Sequence, residues 1–485
     1  MFSGRLTCLP MRSLLPFCLL ALCSCFRNPV TGKSQLDLLP ESQEVQLGAQ
    51  AKAETEQTYG IYKEKPELNQ YVAEVGKLLA SKSARPNLPY SYEIVDDASV
   101  NAFALPGGPI FITRGLLGYL NTEAEMAAVL GHETGHVAAR HSANQMSKQQ
   151  VAQIGLGLGS ILSPTVASAA QVAGAGLQVL FLKYSRDDET QADELGFRYM
   201  TEAGYDPTQM IPLFQMLDGV SNQAGAGKTP EWLQTHPDPG NRLAATQQRL
   251  KTELKGSTQG MKVERDKYLK MIDGIVFGDD PRQGYFKGDT FYQPELKFQW
   301  TLPAGWAHQN TPQAVAAQSQ KQDAILQLQA VGKMTPEEAA QKLFSQQGVQ
   351  AGQPVAVKNA KIARSFVAQS QQGTIEGVAA FLSHQGNTYL LAGYTPQGGL
   401  AAYGKLFLDS MGSFAELTDS NAMNVKPATV KLVHLDQPMS LSDFNAKYPS
   451  TAKPETIALI NGLDKGAQLP AGYAKQIIGG TGQPQ

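Results

Sequence analysis

The stretch "AAVLGHETGHVAARHSANQ", residues 127 to 145, sets the hardest condition on any fold this chain can adopt. From Thr122 to about Lys148 the apolar period is helical, and Thr122 and Glu125 stand at capping-box spacing, so the stretch is predicted to lie within a helix. Residues four apart share a helix face, so the imidazoles of His132 and His136 can converge on one ion, with Glu133 projecting beside them. The alternative is a helix that carries exposed histidines and no metal. Zinc suits two imidazoles but needs a third protein ligand and keeps one position for water. A second helix therefore has to pack against the first.

The segment "YSRDDETQADELG" supplies a candidate for that second helix, predicted over about 187–203. Glu189 and Asp193 are four apart and share a face, while Leu195 and Phe197 can bury the helix. Glu189 is the expected third metal ligand. Asp193 is expected behind it, accepting the N–H of a ligating histidine and fixing its tautomer. The competing reading is a solvated acidic patch, since Asp187, Asp188 and Glu194 are close by.

Around this pair of helices the 485-residue chain reads as several domains with the 42% hydrophobic content of a globular protein. Residues 36–83 look helical, with Leu68, Tyr71, Val72, Val75, Leu78 and Leu79 on one face. "VNAFAL" and "PIFIT" are strand-like and flank Pro106, Gly107 and Gly108, which predicts a hairpin. Residues 151–182 carry no charge and read as a buried helical hairpin or a membrane-touching flap. Further helices run to about Tyr268, and Gly278, Gly284 and Gly288 with Pro281 within 275–290 suggest a linker. Beyond it, residues 285–420 alternate strands with two helices, a small α+β domain, and residues 428–480 read as strand, two short helices and strand.

Arg5 and Arg12 precede the apolar run from Leu14 to Leu22, the pattern of a secretory signal over 1–24. All four cysteines fall within the first 25 residues, so after cleavage no internal disulfide is available. Cleavage after Ser24 would make Cys25 resemble the lipid-acceptor cysteine of a bacterial lipoprotein, and an unmodified Cys25 in a secreted protein is the alternative. Lys and Arg (41) nearly balance Asp and Glu (43), with no long run of one sign, which argues against nucleic acid as a partner. "AGAGKT" (224–229) lacks the first glycine of a phosphate loop, and "GLGLGS" (155–160) lacks the last glycine of a dinucleotide fingerprint. His308, His384 and His434 have no partners at ligand spacing.

HETGH followed some fifty residues later by ETQAD resembles the BepA/HtpX/CAAX-prenyl-protease family of gluzincin metallopeptidases. "NPVTGKSQL", "NAFALPGGPIFITRGLL" and "THPDPGNR" agree with it, and the resemblance spans about residues 26–255. It implies a mainly α zincin-type protease domain with a small sheet over 25–275, His132, His136 and Glu189 as zinc ligands, and Glu133 as catalytic base. It also implies that Asn101, Ala102, Phe103 and Ala104 form an edge strand to which a peptide substrate adds, against the plainer reading of an ordinary strand. His236 would stabilise an oxyanion or cap the zinc at rest, and Arg242 would serve the same anionic centre or pair with a carboxylate. Arg140 and His141 read as packing or as support behind the ligands.

Residues 285–420 are similar to PsbP-like α/β sandwiches, and 428–480 resemble a LysM module, which implies peptidoglycan contact. The "LVHLDQPMSL" opening lacks the Gly-Asp pair usual in LysM, and a generic docking module is the alternative. Together these readings predict a zinc endopeptidase on the periplasmic side of the bacterial outer membrane, anchored through lipid on Cys25 and acting on misfolded or stalled envelope proteins. A chaperone that does not cut, or a wall-binding lipoprotein, are the alternatives.

Overall fold

The helix expected over 122–148 is broken in two. In the computed structural model, which describes residues 25–30, 32, 34–36, 39–148, 183–224, 231–236, 239–254, 257–370, 373–463 and 466–480, it runs over Glu123–Ala138 and is buried along its whole length. Thr122 caps it by accepting from Glu125 N–H, and the Glu125 carboxylate reaches back to accept from Asn121 N–H at 2.6 Å. Arg140 ends this helix in the left-handed region (φ 60°), with its guanidinium 3.3 Å from Glu44, and helical backbone resumes over 141–148. The signal at 1–24, the hairpin expected over 151–182, "GLGLGS" and most of "AGAGKT" lie outside the described residues.

The second helix forms as Arg186–Glu202, started by a full capping box between Ser185 and Asp188. It buries Glu189, Asp193, Leu195 and Phe197 against the histidine helix. Glycines make that approach possible. A Cβ on Gly196 would stand 2.9 Å from the His132 backbone N, and one on Gly135 would stand 3.0 Å from the Ala192 carbonyl. The backbones therefore meet closely enough for side chains of both helices to share one ion.

Strands β1 (Cys25–Arg27) and β2 (Ser34–Leu36) form an antiparallel pair. A three-stranded sheet of β3 (Ser91–Val95), β4 (Ala102–Ala104) and β5 (Pro109–Thr113) has the order β3-β5-β4, so β4 is an edge. The expected hairpin joins β4 to β5 through Gly107 (φ 74°) and Gly108 (φ 134°). The helix expected over 36–83 is two helices, Glu41–Tyr59 and Pro66–Ala80, because Gly60 turns at φ 72° and Ile61 bridges to Val95. Among the described residues no helix is long and apolar enough to cross a membrane.

Residues 275–290 are not a linker. Ile275 and Val276 are buried, Val276 bridges to Thr429, and β6 (Tyr285–Lys287) already belongs to a sheet; the glycines sit at its turns. With β7 (Thr290–Gln293), β8 (Phe298–Thr301) and β16 (Ala415–Glu416), β6 makes a four-stranded antiparallel sheet. Strands β9 (Ala307–Asn310), β10 (Ala314–Gln318), β11 (Ile325–Gly332), β12 (Val349–Pro354), β13 (Ile362–Ser370), β14 (Gly373–His384) and β15 (Asn387–Pro396) form a seven-stranded one, in which β9 and β12 are the edges. Helices Pro336–Phe344 and Leu400–Gly412 pack against the second sheet. The molecule is thus a helical domain followed by a large sheet-rich region.

The last segment is strand, helix, helix, strand, as expected: β17 (Ala428–Leu435), Leu441–Lys447, Pro454–Ile460 and β20 (Gly472–Gly479), with β18 (Met439–Ser440) and β19 (Gln468–Leu469) paired beside them. Strands β17 and β20 pair antiparallel. Val430, Phe444, Ile457 and Ile460 join one continuous buried cluster with Leu117, Met126 and Leu130. This segment shares a core with the histidine helix.

Candidate metal centre

Four buried side chains, His132, His136, Glu189 and His236, place one ligand atom each within 4.8 Å of one another. His132 Nε2 and His136 Nε2 are 2.9 Å apart, one turn apart on the histidine helix. Glu189 Oε1 reaches 3.4 Å from His136 Nε2 and 2.9 Å from His236 Nδ1. Three imidazole nitrogens and a carboxylate are a donor set that suits a divalent transition metal. The polar groups left over agree with such an ion: Oε2 of Glu189 is buried and accepts no hydrogen bond among the described residues, and no side chain among them donates a hydrogen bond to the buried Glu133 carboxylate.

The hydrogen bonds behind the ligands fix which nitrogen faces the centre. His132 Nδ1 donates to Asp193 Oδ1 at 2.9 Å, leaving the Nε2 lone pair for a metal. Arg242 holds Asp193 in turn, with Nε and Nη2 each 2.7 Å from one of its oxygens, and its Nη1 lies 3.4 Å from Glu189 Oε2. Burial and then the Arg242 charge push His132 down to about 3, so the ring stays neutral and able to ligate. Burial alone would raise Asp193, yet Arg242 and His132 hold it at about 2. Burial also opposes ionisation of Glu189, but the His236 and His136 contacts keep it well below the ordinary carboxylate range.

Glu133 is fully buried, and that burial pushes its carboxyl up to about 7, with His136 and Arg242 pulling the other way. A carboxylate poised there can take and return a proton near neutral pH. His236 Nε2 stands 3.7 Å from Glu133 Oε1, so the His236 ring touches both the cluster of candidate ligands and Glu133.

His141 does more than pack. Its Nδ1 lies 2.8 Å from His136 Nδ1 and its Nε2 lies 2.9 Å from Gln191 Oε1. The amide oxygen can only accept, so His141 carries its proton on Nε2 and accepts from His136 Nδ1, which turns the His136 Nε2 lone pair to the metal. Replacing His141 by Ala is expected to weaken metal affinity by about 10- to 100-fold without unfolding the chain. Competition with a metal indicator measures this; an unchanged affinity would remove His141 from the support of the centre.

Two aromatic supports have no counterpart in the sequence reading. Tyr184 stacks on His136 with centroids 4.0 Å apart, and Trp232 stacks on His236 at 4.3 Å. Trp232 carried a signal, since it precedes His236 by one helical turn and its carbonyl accepts the His236 N–H at 2.8 Å. Tyr184 carried none, because its partner is 48 residues away by number. His308, His384 and His434 stay outside the centre, against Phe286, the Leu296 carbonyl and Asp436 respectively.

Strand β4 lies beside the histidine helix. Thr113 N–H donates to Asn101 O and Leu105 N–H donates to Pro109 O, so the alternation of an antiparallel pair turns the backbone groups of Ala102 and Ala104 away from β5. The Ala104 backbone N–H is also among the groups that lower the Glu133 carboxyl. The outward edge of β4 and the Glu133 carboxylate therefore face the same space.

Comparison with known proteins matches residues 66–250 to the model of Peptidase family M48. The beta-barrel assembly-enhancing protease of Yersinia pestis is 34% identical over 193 residues, covering 38% of this chain and 39% of that protein. The protein of the same name from Escherichia coli K12 is 30% identical over 230 residues, 46% of each chain. The mitochondrial metalloendopeptidase OMA1 of Schizosaccharomyces pombe is 32% identical over 174 residues, 36% of this chain and 50% of that protein. The chain thus spans half or less of the length of these curated relatives. Among solved structures, cyanobacterial PsbP from Synechocystis covers 26% of this chain and 91% of its own at 12% identity and a TM-score of 0.21, too low to carry an argument.

Proposed function

We propose that this chain, whose residues 66–250 form a domain of Peptidase family M48, is a zinc-dependent endopeptidase of the bacterial cell envelope. The observation that carries the reading is the buried cluster of His132, His136 and Glu189 beside the fully buried Glu133 carboxylate. Held by those three side chains, zinc would supply Lewis acidity toward the scissile carbonyl and the attacking water. Glu133 takes the proton of that water and returns it to the leaving amine. Asp193, clamped by Arg242, keeps His132 in the ligating tautomer, and His141 does the same for His136. The peptide lies along Ala102 and Ala104, whose backbone groups bind a chain of any sequence.

His236 has two roles open to it. It can stabilise negative charge developing on the carbonyl oxygen, or occupy the fourth ligand position at rest; its Nδ1 contacts to His132 (3.3 Å) and Glu189 favour the second. The relatives' names tie them to beta-barrel assembly, and the proposed substrates are misfolded or stalled envelope proteins. Export, a lipid on Cys25 at the periplasmic face of the outer membrane, and peptidoglycan contact through a LysM-like segment at 428–480 complete the proposal.

Zinc content and casein hydrolysis by the protein from Phe26 onward test it. About one zinc per chain is expected, with hydrolysis that a chelator abolishes and added zinc restores. Zinc without hydrolysis would point to His236 filling the fourth position. Absence of zinc would overturn the reading.

A further inference from the structure

A cavity of about 870 Å³ opens where the sheet-rich region meets the helical domain, and none of the four metal-site side chains lines it. Its floor is apolar, formed by Phe291, Phe298, Leu328 and Tyr389 between the two sheets. At its mouth Phe286 of edge strand β6 stacks on His308 of edge strand β9, with centroids 3.8 Å apart. Its rim is acidic. Asp96 is matched by Arg114 at 2.7 Å and Asp280 by Arg282, whereas Asp97, Asp279 and Glu295 form no ion pair among the described residues. Arg114 is the one Lys or Arg in the lining, and it is fully committed, donating also to the Val276 and Gly278 carbonyls.

We propose that this cavity is a second docking site for the polypeptide substrate, taking an unfolded segment that carries lysine or arginine beside an aromatic or large aliphatic residue. The inference rests on the peptidase reading for its substrate. Charge selects the basic residue: three uncompensated carboxylates around an apolar floor attract a cation whose neighbour can be buried. Continuity selects a peptide. Asp97 and Ala98 belong to the loop that leads into β4, and Asp97 lies seven residues from Ala104, at most about 25 Å along an extended chain. One extended substrate can therefore run along the β4 edge past Glu133 and reach the cavity within about seven residues of the cleaved bond.

The test uses the full chain carrying Glu133→Gln, which holds a peptide without cutting it. A labelled peptide containing Lys-Phe-Lys is titrated by fluorescence anisotropy beside versions with Glu-Phe-Glu and Lys-Ser-Lys. The first is expected to bind at least about tenfold more tightly than either other, and the triple substitution Asp97→Asn, Asp279→Asn, Glu295→Gln to remove about tenfold of that affinity. Phe286→Ala is expected to weaken it independently of salt. Equal binding of the three peptides, or an affinity indifferent to the triple substitution, overturns the docking site even in an active peptidase. Because the readout needs no hydrolysis, failure of the peptidase reading shows separately, in the zinc and casein measurement.

Discussion

Glu133→Gln is expected to lower peptide hydrolysis by about 100- to 10,000-fold while leaving one metal per chain. The substitution is nearly isosteric at a site with no exposed surface, and the three ligand side chains and their supports are untouched. An amide cannot take a proton from water, so the proton transfer proposed for Glu133 is lost while the ligands stay. Turnover of a quenched fluorescent peptide, with metal content on the same samples, measures both quantities. A fall in turnover at constant metal assigns the base to Glu133. Persistence of the cellular activity in the variant would favour the chaperone reading, in which the β4 edge holds unfolded chains without cutting them.

That site could be read in advance because its pieces are local. His132 and His136 are one turn apart, Glu189 and Asp193 are one turn apart, and each pair declares a helix face by spacing alone. A glycine on each helix completes the approach, Gly135 within HETGH and Gly196 on the second helix. What spacing does not give is a contact between distant segments. The stacking of Tyr184 on His136 and the reach of His141 to both His136 and Gln191 depend on how loops return to the helix pair.

The misread segments have physical reasons of the same kind. Glycine density over 275–290 suggested a linker, but glycine marks the need for a tight turn, and turns occur inside packed structure as well as between domains. The helix break at Arg140 has no glycine or proline to announce it; contacts from Arg140 to Glu44 and Leu39 hold the left-handed residue in place. Composition also divided 428–480 from the protease half. A shared core cannot be seen from composition, because each half has apolar residues enough for a core of its own.

Lys475→Met is expected to destabilise the helical domain itself by several kcal/mol, because three buried carbonyls lose their donor, each at a cost of about 1–3 kcal/mol. Lys475 lies on β20 with no exposed surface, and its amine donates to the carbonyls of Gly118 (3.0 Å), Tyr119 (3.2 Å) and Leu120 (2.8 Å). These close the short helix Arg114–Tyr119, whose last carbonyls have no partners within it. Burial pulls the Lys475 pKa well down and pushes the neighbouring Glu125 up to about 7, while their mutual attraction and the three acceptors favour the ammonium. Asn461 locks the strand from the other side, accepting Lys475 N–H at 2.7 Å and donating to its carbonyl at 2.8 Å. Glu125 sits in the first turn of the histidine helix, two turns before His132, so loosening this contact reaches His132 and His136 along one rigid element. Urea titration with metal release as readout should show the ion leaving at a lower midpoint, together with the unfolding of 428–480. Pairing Lys475→Met with Glu125→Gln should cost less than the sum of the two single changes, since the two groups act on each other electrostatically. Release of metal at the parental midpoint, with only the last strands unfolded, would instead make 428–480 a separable module free to serve a partner of its own.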